Sequence, residues 1–194
     1  MTKPAAAIPP GDLRHIQKSA ACRRQAWLLA AERHREQLYP GTNLPYLTHI
    51  GSVVLALQPG LDANPAARAD LAVLCAILHD TVEDTNTTVE ELESAFGPDV
   101  AAGVAALTKD PALKGPEAMA DSLRRILKNP PEIAMVKLAD RIANLGVPAT
   151  HWTPKKCHSY AQEGQLILNQ LGGASLVLSS LLEERINAWL ALEA

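Results

Sequence analysis

The chain has 194 residues, a net charge of −3 and an aromatic content of 4%. That balance leaves no basic footprint for nucleic acid and no aromatic platform for single strands. The length fits one domain able to bury about 70% of its unfolded surface, and no apolar run reaches the roughly 18 residues of a membrane span.

Residues 1–11 hold three prolines and are expected to form a mobile tail, with no signal-peptide core in MTKPAAAIPPG. The remaining residues, 12–194, then form a single domain. Asp12 suits the N-cap of a long helix to about Gln37, ending before Pro40-Gly41. A loop from Tyr39 to Pro45 leads into a helix that carries His49 on its first turn, runs to about Leu57 and is stopped by Pro59-Gly60. The next helix, from about Pro65 to Val82, contains the apolar run LAVLCAIL, expected to be buried on every side. Thr87 and Glu90 read as a capping box for a helix to Ala95, broken by Phe96-Gly97-Pro98.

Further helices are expected at 98–107, 116–128, 131–146, 154–171 and 174–192, with Gly172-Gly173 as a C-cap and turn. Alternation of β-branched residues is absent and connections are short, so the chain reads as an all-α, compact multi-helix bundle. Apolar surfaces on the last two helices either close that bundle or support a homodimer. Cys22, Cys75 and Cys157 are far apart and odd in number, which fits reduced thiols in a soluble, cytoplasmic protein.

The segment ILHDTVEDT concentrates the chemistry. On a continuous helix His79 and Glu83 are neighbours on one face, as are Asp80 and Asp84. Carboxylates emerging from so apolar a run need compensation. A divalent cation supplies it, and His49 in PYLTHI with Asp140 in VKLADRIANL offers matching donors. Two imidazoles and two carboxylates suit Mn²⁺, Fe²⁺ or Zn²⁺ rather than Ca²⁺ or a thiolate site. Glu83 and Asp84 are then left to move protons on a water beside the ion. The plain alternative is that a lone His-Asp pair is an ordinary hydrogen-bonded residue pair. The ordered set of His49, His79-Asp80, Glu83-Asp84 and Asp140 argues against it.

These motifs resemble the HD-domain phosphohydrolases, within them the hydrolase module of the RelA/SpoT homologues, and among those the stand-alone small alarmone hydrolases. The matching text is PYLTH at 45–49, AILHDTVEDTNTTVEELESAFGPDV at 76–100, ALTKD at 106–110 and MVKLADRIANL at 135–145. The resemblance implies an HD-type bundle with His49, His79, Asp80 and Asp140 around Mn²⁺ or another divalent ion. It also implies that Glu83 and Asp84, set close together so that one titrates high, activate water and protonate the leaving 3′-oxygen. The implied reaction is hydrolysis of the 3′-pyrophosphate of (p)ppGpp to GDP or GTP, with no room in this chain for a synthetase domain. Asn144, one turn beyond Asp140, matches a residue that contacts the ribose-phosphate region, its alternative being a surface amide. Lys137 and Arg141 either clamp phosphates or form a solvated helix face. Thr108, with Lys109, opens a loop that lies near the nucleoside in relatives.

One departure bears on the base. Relatives carry an Arg-Lys pair before the PY-x-x-H motif, and its Arg stacks on guanine. Here Tyr39-Pro40 occupies that place. Tyr39 can stack on a purine or pack between helices. An adenosine alarmone, (p)ppApp, or another 3′-phosphorylated nucleotide therefore competes with (p)ppGpp as substrate, and a non-catalytic nucleotide-sensing bundle is the reading outside enzymology. His151, Cys157 and His158 lack the spacing of a second metal site. The Arg33-His34-Arg35 run fits stabilisation of a helix end. Trp152 and Tyr160 read as core anchors.

Overall fold

Helices follow one another through the described residues, and four of them carry the site. The computed structural model describes residues 10–146 and 152–192. In order they are α1 (Pro10–Arg33), α2 (Leu47–Asp62), α3 (Ala69–Leu78), α4 (Thr81–Asp84), α5 (Val89–Phe96) and α6 (Pro98–Leu107), then α7 (Gly115–Ile126), α8 (Pro131–Asn144), α9 (Pro154–Leu171) and α10 (Leu176–Leu190). A 3-10 turn over Gly172–Ala174 joins α9 to α10. Among the described residues there is no strand, only an antiparallel bridge between Leu38 and Pro45, and no helix is long and apolar enough to cross a membrane.

α8 is the central element. Every residue from Glu132 to Ile142 is buried, and the helix packs against α2, α3, α6, α9 and α10. α3 is buried from Leu71 to Leu78, as its apolar run requires. α2, α3 and α8 pack on one another, so the start of α2, the end of α3 and the last turn of α8 meet at one end of the core. α9 and α10 turn Ala161, Gly164 and Ile167 toward Leu178, Leu182 and Ile186 inside the bundle. These faces pack on each other and on α8, while Leu166, Leu176, Val177 and Leu190 of the same helices stay exposed.

Several boundaries differ from the sequence expectation. α1 begins at Pro10 rather than after Asp12, because proline is suited to the first helical position. Residues 1–9 of the expected tail lie outside the described residues. α1 ends at Arg33 rather than Gln37, since the Gln37 carbonyl accepts from Tyr46 N–H at 2.9 Å and Tyr39 N–H donates to the Leu44 carbonyl at 2.8 Å. That bridge demands extended backbone. α2 runs through Pro59 to Asp62. The carbonyl that Pro59 leaves without its helical donor belongs to Leu55, an exposed residue, where water can satisfy it.

The expected helix over residues 65–82 is two helices. Asp80 sits at φ −101°, ψ −2°, in the sparsely populated bridge region. His79 Nδ1 donates to the Ala76 carbonyl at 2.9 Å and Thr81 Oγ1 to the Leu78 carbonyl at 2.7 Å. Those side chains compete for acceptors that a continuous helix would use. The cap of α5 is Thr88, accepting from Glu91 N–H, one residue beyond the expected box. Gly97 at φ 90° then ends α5 and starts α6, a conformation that favours glycine.

Candidate metal centre and hydrolytic site

His49 comes from the first turn of α2, His79 caps the C-terminus of α3, and Asp140 lies in the last turn of α8. One donor atom from each lies within 4.8 Å of the others. The two histidine Nε2 atoms are 3.3 Å apart, and Asp140 Oδ1 is 3.5 Å from His49 Nε2 and 3.9 Å from His79 Nε2. Asp80 Oδ2 joins them from the helix break, 2.9 Å from His79 Nε2 and 3.6 Å from His49 Nε2. It also accepts from the Tyr46 hydroxyl at 2.5 Å. Three of the four expected ligands, His49, His79 and Asp140, thus cluster mutually, and Asp80 joins them through the two histidines.

These donors fit a divalent ion. With Nδ1 donating to Ala76, neutral His79 points a lone pair from Nε2 toward the same space as His49 Nε2 and the two carboxylates. Imidazole lone pairs this close repel unless a cation lies between them. That fixed outer hydrogen bond is the usual support of a metal-ligating histidine. Without an ion a proton takes the cation's part. Burial works against a charged His79, but Asp80 and Asp140 outweigh it and push the pKa up to about 9. Burial likewise opposes ionisation of Asp140, yet Lys137 and His79 hold it down to about 2. Asp80 is kept well below the carboxylate range against its burial by His79 and by hydrogen bonds from His49 and Tyr46. Burial and the neighbouring Asp80 push the Tyr46 hydroxyl far up, so it stays a donor.

Glu83 and Asp84 stand on α4 at the rim of a cleft of about 210 Å³ that also includes His49, Asp80, Asp140 and Asn144. They are held by different partners. The Glu83 carboxylate accepts from Lys109 N–H and from Lys109 Nζ, each at 2.9 Å. Asp84 Oδ2 accepts from Gln37 Nε2 at 2.8 Å.

Lys137 and Arg141 do not form a solvated face, because both are buried. Lys137 Nζ donates to Asp140 Oδ2 at 3.0 Å. The Arg141 guanidinium lies 4.1 Å from the centre of the Tyr160 ring and 3.4 Å from Glu163. Asn144 is not a free surface amide either, donating to Asp140 Oδ1 at 2.6 Å. Thr108 does not line the cleft. Its hydroxyl donates to the Val104 carbonyl and its neighbour Lys109 lines the cleft instead.

A second chamber of about 240 Å³ adjoins the cleft through Tyr46, His49, Asn144 and Tyr160. Tyr39, Trp152 and Trp189 complete its aromatic wall, and Tyr39 stacks on His49 with ring centres 5.5 Å apart. Trp152 and Tyr160 do anchor the last two helices, meeting each other edge-on at 5.2 Å and Trp189 at 5.9 Å. His151 lies outside the described residues; His158 bonds to the Leu192 carbonyl at 2.8 Å. Arg33 pairs with Glu91 and with Asn86 at the end of α1. The roles of Tyr46, Gln37 and Lys109 escaped the motif reading. Tyr46 and Lys109 stand inside the quoted PYLTH and ALTKD motifs and Gln37 two residues after the Arg33-His34-Arg35 run, but nothing local tells what each side chain reaches.

The chain is similar to known proteins in sequence and in fold. Residues 26–175 match the family described as HD domain. The MESH1 protein of Xenopus tropicalis, named guanosine-3′,5′-bis(diphosphate) 3′-pyrophosphohydrolase, is 32% identical over 174 residues, which is 87% of this chain and 94% of that protein. An Aquifex aeolicus protein named guanosine-3′,5′-bis(diphosphate) 3′-pyrophosphohydrolase is 34% identical over 137 residues, 69% of this chain and 18% of that much longer protein. A solved structure described as a metazoan ortholog of SpoT that hydrolyses ppGpp has a TM-score of 0.74 and 27% identity, over 96% of this chain and 100% of that one.

Proposed function

Since the chain belongs to the HD-domain family, we propose that it hydrolyses the 3′-pyrophosphate of a guanosine alarmone, releasing pyrophosphate from (p)ppGpp and leaving GDP or GTP. The observation that carries this reading is the meeting of His49, His79, Asp80 and Asp140 beneath the separately held Glu83 and Asp84. Relatives that this chain matches over most of their length bear the name of that activity. His49, His79, Asp80 and Asp140 would hold one divalent ion, Mn²⁺ in this reading, which would supply positive charge to acidify a water and polarise a phosphoryl oxygen.

The chain's own residues do the rest. One of Glu83 and Asp84 takes the proton from the attacking water, and the other delivers one to the leaving 3′-oxygen. Asn144, already fixed on Asp140, offers its remaining amide valences to the ribose-phosphate region. Lys109 and Lys137 bring positive charge to the phosphates. Arg141 backs the ring of Tyr160 and adds its charge from below. Thr108 contributes only through its place beside Lys109. Tyr39 stacks on the base in the aromatic chamber.

A second reading is favoured by one feature. Among the described residues no acidic side chain lines the chamber of Tyr39, Trp152 and Trp189, and the cations beside it, Lys156 and Arg141, lie against the Trp152 and Tyr160 rings, so adenine in (p)ppApp fits there as guanine does. The pure protein with Mn²⁺ should be offered ppGpp, ppApp and nucleoside monophosphates in parallel. Pyrophosphate from ppGpp is the expected result. Pyrophosphate from ppApp alone would reassign the base, and inorganic phosphate from monophosphates alone would make the protein a phosphomonoesterase. Nucleotide binding without turnover under any metal would make it a sensor.

A further inference from the structure

Past Arg33 the chain makes its antiparallel bridge, and this pins residue 37 on both sides. The Gln37 carbonyl accepts from Tyr46 at 2.9 Å and its N–H donates to the His34 carbonyl at 3.0 Å. From that fixed point the side chain spans two groups. Nε2 is 2.8 Å from Asp84 Oδ2, and Oε1 is 2.6 Å from His34 Nδ1.

Chemistry decides which end faces which. Gln37 Nε2 donates to Asp84 Oδ2, as a carboxylate oxygen that accepts requires. The amide oxygen then faces His34, and because it also only accepts, Nδ1 must carry the imidazole proton. His34 is 2% exposed and stacks on Tyr46 with ring centres 4.9 Å apart. Its Nε2 is buried with no hydrogen-bond partner among the described residues, so a proton there would be a buried donor without an acceptor, a costly arrangement. The ring is therefore held in one tautomer.

We propose that His34 and Gln37 are positioning residues for Asp84: the Nδ1–H of His34 fixes the amide of Gln37, and that amide fixes the carboxylate at the cleft rim. The proposal rests on the assignment of Asp84 to proton transfer in the hydrolysis above. Without the His34 donor the amide is free to turn over and set its oxygen against the carboxylate. Glu83 takes its orientation from Lys109, so the two carboxylates have independent supports, one from the end of α1 and one from the segment after α6.

The test uses the full chain with Mn²⁺ and ppGpp. Gln37→Glu keeps the acceptor for His34 but replaces the N–H facing Asp84 by oxygen. His34→Leu fills the site without a donor, while His34→Asn restores an N–H near the position of Nδ1. Gln37→Glu and His34→Leu should each lower kcat about tenfold or more, as a misplaced group does, with KM and bound Mn²⁺ unchanged. His34→Asn should recover most of the loss. Wild-type kcat in both Gln37→Glu and His34→Leu would overturn the proposal. So would His34→Asn no better than His34→Leu when circular dichroism shows both folded.

A readout independent of turnover is the ¹⁵N spectrum of the histidine side chains in wild-type protein without nucleotide. It should show His34 protonated at Nδ1 and bare at Nε2, and the reverse tautomer would overturn the proposal. If wild type releases no pyrophosphate from ppGpp, the functional reading fails, and the tautomer alone then decides the His34–Gln37 contact.

Discussion

His79 ties the charge of the site to pH. Its pKa in the metal-free protein is raised to about 9, above the ordinary histidine value, so the ring holds a proton at neutral pH. That charge stabilises the metal-free fold below the unfolded pKa, and the contribution is lost as pH rises through about 9. The same proton occupies the lone pair that a metal needs. Mn²⁺ affinity should therefore climb with pH up to about 9, and loading near neutrality should release close to one proton. Calorimetric titrations in buffers of different ionisation enthalpy measure that release directly; a pH-independent affinity would contradict it. Roles separate by mutation too. Asp80→Ala should remove both metal and turnover, whereas Glu83→Gln should keep the metal and lower kcat by about 10²–10⁴-fold, the usual worth of a general acid or base. Metal analysis beside steady-state kinetics distinguishes the two.

At the scale of elements, close approach of helices sets the site. At Gly103 on α6 an added Cβ would lie 2.6 Å from Ile133 Cδ1 of α8 and 2.8 Å from Cys75 Sγ of α3. These two helices deliver Asp140 and His79. Gly103→Val should cost about 1–3 kcal/mol by overpacking, read as a lower midpoint in urea, and should weaken Mn²⁺ binding by moving α3 from α8. Unchanged stability would show that this interface yields more than the packing implies. The break between α3 and α4 has the opposite character. A 3.6-residue period continues through ILHDTVED, so the pattern predicts one helix. Capture of the Ala76 and Leu78 carbonyls by His79 and Thr81 leaves the period intact but redirects the chain. As a result, Glu83 and Asp84 reach the rim, and their partners are Lys109 and Gln37 rather than each other.

Across the whole molecule, the parts legible in sequence are those set by local rules. The helices 98–107 and 154–171 match to the residue, because Pro98 and Pro154 start them and local capping chemistry bounds them. The donors His49, His79 and Asp140, which could hold a metal, were legible because each lies in or at the end of a patterned apolar helix whose buried face must point at the same core, with Asp80 next in sequence at the helix break. The supports were not. Tyr46, Gln37 and Lys109 act from loops, and where a loop side chain reaches is decided by tertiary contacts such as the Leu38–Pro45 bridge. Most direct as a test of the central claim is pulsed electron paramagnetic resonance on the protein reconstituted with one equivalent of Mn²⁺. The account predicts ¹⁴N couplings from two imidazoles, with one lost in His49→Ala and one in His79→Ala. Bound Mn²⁺ with no imidazole coupling, or with couplings that neither substitution alters, would contradict it.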